Sequence, residues 1–204
     1  MDDSSIVMLV VWGLIGFVCG SVPFSVLIAG LKGVDPRREG SKNPGATNVT
    51  RLCGLPWGIA ALVCDALKGF LPVLACVHFS GGFAPSLTAL CAVLGHVNSP
   101  FLGFKGGKGV ATTIGVLLAI SPVGLLAGVA ICVAVIALTG YVSAGSLALV
   151  ASLPCIYAVS GRFDLLPLAL ILLIIVFYTH RGNIGRLLRG EEKSWRKGGG
   201  KTKG

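Results

Sequence analysis

Polar and apolar positions fall along this chain in blocks, not in a strand or amphipathic-helix period. Residues 109–161 form 53 consecutive positions without Asp, Glu, Lys, Arg or His. Residues 69–104 give another 36 without Asp, Glu, Lys or Arg, and residues 4–31 give 28. A helix that crosses a bilayer needs about 20 predominantly apolar residues, so the pattern predicts an all-α, polytopic integral membrane protein. Glycine and proline divide the blocks into seven segments, about 6–31, 54–79, 84–97, 109–120, 122–139, 143–160 and 164–180. The dividers are Gly81-Gly82, Ser121-Pro122, Gly140 and Gly161. Pro23 and Pro72 lie inside segments and are expected to kink them. Segments 84–97 and 109–120 reach only about 20 Å at ~1.5 Å per residue, short of a core of about 30 Å. They are expected to be short or half-depth helices beside a cavity, or else to fuse with their neighbours and leave five longer spans.

Composition sharpens this picture. Hydrophobic residues make up 54% of the 204-residue chain and charged residues 12%, about half the charged share of a soluble domain. A soluble enzyme, a nucleic-acid-binding module and a disordered tail are excluded. The net charge of +9 is explained first by topology. Stretches 32–51 and 98–108 and the region from Arg181 hold 15 of the 17 Lys and Arg, and such residues accumulate on the cytoplasmic side. Asp2 and Asp3 precede the first segment, where a secretory signal would carry positive charge. That segment is therefore expected to be a retained span, with the N-terminus outside and the C-terminus cytoplasmic. The turn at 139–142 is an exception, being placed inside without charge. Residues 1–192 are expected to form a single membrane-embedded domain, and 193–204 a flexible basic tail. The seven cysteines show neither C-x-x-C nor zinc spacing and are read as packing residues, with no metal site.

Three polar constellations share the predicted cytoplasmic face. The first is Gly40-Ser41-Lys42-Asn43-Pro44-Gly45-Ala46-Thr47-Asn48-Val49-Thr50-Arg51. Its Asn-Pro-Gly is a strong turn signal, and a turn with small donors beside an arginine can hold phosphate. The second, Lys105-Gly106-Gly107-Lys108-Gly109 after Gly95-His96, has the physics of a phosphate loop: glycines that permit close approach, lysines that supply charge, a helix start that follows. It lacks Walker A spacing and does not imply ATP. The third runs from Thr179 to Glu192 and carries His180, Arg181, Asn183 and Arg186. Each also has a plainer reading as solvated basic loop or juxtamembrane helix. Asp65 and Lys68, three residues apart inside an apolar segment, share a helix face. They are as consistent with a self-neutralising pair as with a site role. His78 is read as incidental.

Together, in this order, these segments resemble the acyl-phosphate-dependent glycerol-3-phosphate acyltransferases of bacteria, the PlsY family. The matching residues are Gly40-Ser41, Asn43, Gly45 to Asn48 and Arg51; Gly95-His96, Pro100 and Phe104 to Thr112; and His180, Asn183-Ile184 and Arg186-Leu187. Asp65-x-x-Lys68-Gly69 and Tyr141-Val142-Ser143 match as well. The likeness runs from the first segment to about Glu192. Lys42 stands where the family usually has glycine, and Thr179 where arginine often precedes the histidine. The resemblance implies a seven-helix enzyme of the bacterial inner membrane that moves a fatty acyl group from acyl phosphate to sn-glycerol 3-phosphate. The products would be 1-acyl-glycerol 3-phosphate and phosphate. It implies no cofactor, no nucleic acid and no obligatory protein partner; glycerol 3-phosphate, acyl phosphate and membrane lipid are the expected partners.

The same resemblance implies Lys108, His180 and Asn183 as the catalytic set. Ser41, Asn43, Thr47, Asn48, Arg51, Lys105, Gly106, Gly107 and Ser143 are implied as substrate-binding, with Arg51 and Lys108 on the glycerol phosphate and Gly106, Gly107, Thr47 and Asn48 cradling acyl phosphate. The base for the hydroxyl proton is open between a substrate phosphate oxygen and His180. The chain lacks His-x-x-x-x-Asp and Gly-x-Ser-x-Gly signatures, consistent with an activated donor that needs no covalent acyl-enzyme. A phosphate-ester transporter, or acyl transfer from acyl-CoA or acyl carrier protein, are the rival readings.

Overall fold

Breaks in the apolar pattern become breaks in helices. The computed structural model describes residues 3–197; of the expected tail, residues 198–204 lie outside the described residues. Two units, Met1–Pro122 and Val123–Gly204, are distinguished by their internal contacts. Among the described residues the regular structure is entirely helical.

The first unit holds α1 (Asp3–Ser21), α2 (Phe24–Gly30), α3 (Ala46–Cys53), α4 (Leu55–Phe79), α5 (Ala84–Val97) and α6 (Val110–Ile120). Pro23 stands at the break in the first apolar block between α1 and α2, where its missing N–H removes a helical hydrogen bond. Pro72 sits buried within α4, which continues past it without a break. Helices α5 and α6 have 14 and 11 residues and stay separate from their neighbours. Helices α1 and α5 cross at backbone distance. A methyl group on Gly16 or Gly20 would meet the carbonyl oxygen of Thr88 or Ala92, and one on Gly95 that of Phe17. On α6, Gly115 approaches the Ala66 carbonyl of α4 in the same way. Small residues drive such crossings where lipid is as apolar as the side chains. The amphipathic α3 lays Val49 on Ala61 of α4 and Ala29 of α2, with Trp57 and Cys53 alongside.

The second unit holds α7 (Pro122–Thr139), α8 (Val142–Val159), α9 (Leu166–Thr179) and α10 (Arg181–Leu188). Gly128 of α7 lies against Leu149 and Leu153 of α8. The interior continues with buried Val150, Leu168, Leu172 and Val176. At His180 the chain turns through 64° from α9 into α10.

Four helical stretches are long and apolar enough to cross a membrane: Ser5–Gly30, Leu55–Phe79, Pro122–Thr139 and Val142–Val159. The bent pair α9–α10, counted as one span, makes up to five.

Candidate active site

The first polar loop is folded by its own side chains. Arg37 grips Asp35 through Nε and Nη2, each at 2.9 Å. That hydrogen bonding, with the nearby Arg38, holds the Asp35 carboxyl down at about 2. Asn48 is buried. Its amide donates to the carbonyls of Pro36 (2.9 Å) and Glu39 (3.0 Å), and its Oδ1 accepts the Ser41 N–H at 2.9 Å. Asn48, implied by the resemblance to cradle acyl phosphate, has both amide hydrogens and its oxygen engaged by the loop and so fixes the Ser41 backbone. The tightness has a backbone signature, since Gly40 (φ +64°) would drive a methyl into Asn48 Oδ1. Lys42, the residue that departs from the family's glycine, also has positive φ, +57°. Ser41, Thr47 and Arg51 are exposed and Asn43 is half-buried; Arg51 closes the last turn of α3.

The second loop is laid against the end of α5. Gly106 N–H donates to Val97 O (2.9 Å) and Gly107 N–H to His96 O (3.2 Å). A methyl on Gly106 would strike the His96 carbonyl, and one on Gly107 would strike His96 Nε2. The close approach these glycines make is to the carbonyl oxygens at the end of α5. Lys105 is exposed and Lys108 half-buried, and Gly109 enters the first turn of α6 at φ +87°; cations beside a helix start are chemistry that suits an anion.

Beneath both loops lies a buried polar cluster. Asp65 and Lys68 pair at 2.8 Å, as their spacing on α4 predicts. Ser25 donates to Asp65 Oδ2 at 2.5 Å, and Lys68 Nζ donates to the Val22 carbonyl, at the break before Pro23, at 2.6 Å. Ser99 reaches the Ser21 carbonyl at 2.6 Å. Ser25, Asp65, Lys68, His96, Ser99 and Gly107 line a small, partly open cavity of about 10 Å³. Sequence reading missed Ser21 and Ser25. The signal was present, since both flank the one proline in the first apolar block, where carbonyls must lose helical partners.

In the second unit, three side chains converge on one carboxylate. Ser143 Oγ (2.8 Å) and Asn183 Nδ2 (2.6 Å) donate to Glu192 Oε1, and Arg186 Nε to Oε2 (2.6 Å). Burial opposes ionisation of Glu192, but the hydrogen bonds from Asn183, Ser143 and Arg186 outweigh it and hold the carboxyl below the ordinary glutamate value. Glu192 is the residue here that sequence reading did not single out. The segment after it is tied down as well: Trp195 N–H donates to Gly140 O at 3.0 Å, and the Arg196 guanidinium to Ala137 O. His180 Nδ1 lies 2.9 Å from the Val176 carbonyl. A carbonyl only accepts, so Nδ1 carries the hydrogen of this bond.

Among the described residues no three His, Cys, Asp or Glu side chains gather as a metal site would. The arrangement instead offers two groups of cations and small donors, one in each unit, each suited to oxyanions.

Comparison with known proteins gives one consistent picture. Residues 10–190 match the family model for glycerol-3-phosphate acyltransferase. A protein of that name from Nitratidesulfovibrio vulgaris is 52% identical over 190 residues, covering 91% of this chain and 58% of that protein. The chain thus spans little more than half of that relative. The Lawsonia intracellularis counterpart is 47% identical over 188 residues and is covered to 95%. Among solved structures, PlsY (YgiH), an integral membrane glycerol 3-phosphate acyltransferase, matches in its glycerol 3-phosphate form with a TM-score of 0.87 at 39% identity, covering 92% of this chain and 95% of that one. Its lysophosphatidic acid form matches with a TM-score of 0.85.

Proposed function

Because the chain belongs to the glycerol-3-phosphate acyltransferase family, we propose that it is a membrane enzyme that moves a fatty acyl group from acyl phosphate to the 1-hydroxyl of sn-glycerol 3-phosphate. The products are 1-acyl-glycerol 3-phosphate, a lysophosphatidic acid, and inorganic phosphate, in the first acylation of phospholipid synthesis. The observation that carries this reading is the likeness, over nine-tenths of both chains, to an acyltransferase structure in its glycerol 3-phosphate form. The lysophosphatidic acid form of the same protein supports the product. The missing signatures of acyl-enzyme chemistry favour the activated mixed anhydride as donor.

In this reading Arg51 and Lys108 hold the phosphate of glycerol 3-phosphate, and Ser41, His180 and Asn183 its glycerol and phosphate oxygens. Thr47, Asn43, Lys105 and the Gly106-Gly107 turn shape the acyl phosphate site, Asn48 acts through the loop it folds, and Ser143 supports Asn183. The hydroxyl oxygen attacks the acyl carbonyl carbon, the bond from that carbon to the phosphate oxygen breaks, and phosphate leaves with the electron pair. The cations stabilise the charge that develops on both phosphoryl groups. The hydroxyl proton passes to a phosphate oxygen, and His180 holds the glycerol backbone in place. The chain acts as one domain with seven membrane helices, N-terminus outside and C-terminus inside, in the bacterial inner membrane; the concentration of Lys and Arg in the sequence between alternate apolar segments supports that orientation.

Purified protein is expected to form lysophosphatidic acid rapidly with palmitoyl phosphate and far more slowly with palmitoyl-CoA. A faster reaction from the thioester overturns the donor. Phosphate-ester uptake by sealed vesicles without acylation overturns the reaction itself. His180→Ala separates the two bases: the expected outcome is a KM for glycerol 3-phosphate raised about tenfold with kcat near normal. A kcat loss of about a hundredfold or more at unchanged KM would make His180 the base.

A further inference from the structure

His96 stands outside every role assigned above, yet it occupies the centre of the first unit's polar interior. Its residue is 6% exposed. Its backbone carbonyl accepts the Gly107 N–H, and its ring Nε2 lies where a side chain on Gly107 would have to go. On the other side of the ring, Nδ1 faces Asp65 Oδ1 at 3.9 Å and makes no hydrogen bond among the described residues. Asp65 is itself fixed by Lys68 and Ser25, and Lys68 caps the Val22 carbonyl at the helix break.

We infer that His96 is a positioning residue for the acyl-transfer site: its imidazole is the surface on which the Lys105–Gly109 loop rests, braced from below by the Asp65–Lys68 pair, and through it Lys108 is set at the height where phosphate binds. This inference rests on the reading that Lys108 holds glycerol 3-phosphate. Three features support it independently of the chemistry. The loop touches His96 through both backbone and ring. The residue against the ring is a glycine whose substitution the ring forbids. A buried pair of opposite charges, costly to place inside a membrane protein, lies directly behind the same ring. The charged groups facing the ring are Asp65 and Lys68 of α4; Ser25 of α2 and Ser99 after α5 complete the wall.

The test is a double-variant cycle in the full-length protein. His96→Ala is expected to raise the KM for glycerol 3-phosphate about tenfold, with kcat and the KM for palmitoyl phosphate changed by less than about threefold. His96→Gln, which keeps the bulk, is expected to restore most of the affinity. Gly107→Ala is expected to be impaired because its methyl meets the ring. Combined with His96→Ala it is expected to be no worse than Gly107→Ala alone, since the obstruction has been removed. Multiplying defects in the double variant would overturn the inference, and so would a His96→Ala protein with unchanged KM. Amide exchange of the peptide spanning residues 103–110 reads the same geometry without substrate. His96→Ala is expected to speed exchange of Gly106 and Gly107 about tenfold or more and His96→Gln to leave it near wild type. Unchanged exchange in His96→Ala overturns the inference even if the wild-type protein transfers no acyl group, whereas absent wild-type turnover overturns only the functional reading.

Discussion

Lys108→Ala is expected to reduce kcat/KM for glycerol 3-phosphate by about ten- to a hundredfold while the protein remains folded. The side chain is half-buried at the entry to α6, and its backbone is set by glycines on both sides. Gly107 is bonded to α5, and Gly109 turns the chain through a left-handed conformation into the helix. A hydrogen bond to a charged group contributes roughly 1.5–3 kcal/mol, which converts to about one to two powers of ten in rate or affinity. Lys108→Arg keeps the charge, but the planar fork is larger than an ammonium and is expected to restore activity only in part. Steady-state kinetics of the purified protein with palmitoyl phosphate measures both variants. Activity of Lys108→Ala within about threefold of wild type would remove the lysine from the phosphate site.

Glu192→Ala is expected to be the most destabilising change in the second unit. It removes the acceptor shared by Ser143, Asn183 and Arg186 and leaves buried donors on Ser143 and Asn183 without it. Stranded donors and lost charge-assisted bonds together amount to about 2–4 kcal/mol; the 39% exposure of the Arg186 side chain lets water recover part of that ion pair. Glu192→Gln keeps one acceptor and is expected to lose less. The pH dependence has a definite sign. The folded carboxyl ionises below its ordinary value of 4.5, so the folded state holds its proton less tightly than the unfolded chain. Its contribution is complete above that ordinary value and disappears as pH falls through the folded pKa. Thermal unfolding in detergent between neutral and acidic pH should show wild type losing stability on acidification, with Glu192→Gln flatter across that window. A Glu192→Ala protein as stable as wild type would mean that the carboxylate is not a keystone.

The apolar blocks translated almost directly into helices. The boundaries of α4 to α9 fall within a few residues of the segments read from glycine and proline. The Asp65–Lys68 spacing announced a pair on one face, and the pair is there. Pro23 and Pro72 separate the two cases that sequence cannot. Both remove an amide hydrogen, yet only the first breaks its helix, because Lys68 and Ser99 reach the carbonyls of Val22 and Ser21 at that break. Asn48 is the instructive residue among the candidates. Its place in a phosphate-like motif suggested a ligand, while its three hydrogen bonds go to residues 7 to 12 positions earlier. Glu192 shows the reverse. Nothing in its neighbourhood marked it, and its partner Ser143 is 49 residues away.

What the chain determined by itself was everything set by a one-dimensional threshold: helices where about 20 apolar residues run together, breaks where glycine or proline removes the helical option, and cationic loops between them. The tertiary structure alone decided which polar atom answers which. Ser25 to Asp65, His96 to Gly107 and Ser143 to Glu192 join positions brought together only when glycine-lined helices pack at backbone distance. The physical reason is that burial of apolar surface depends on amount and period, which a sequence carries in order. A hydrogen bond instead requires two atoms within about 3 Å in a fixed direction, and no local pattern encodes that meeting.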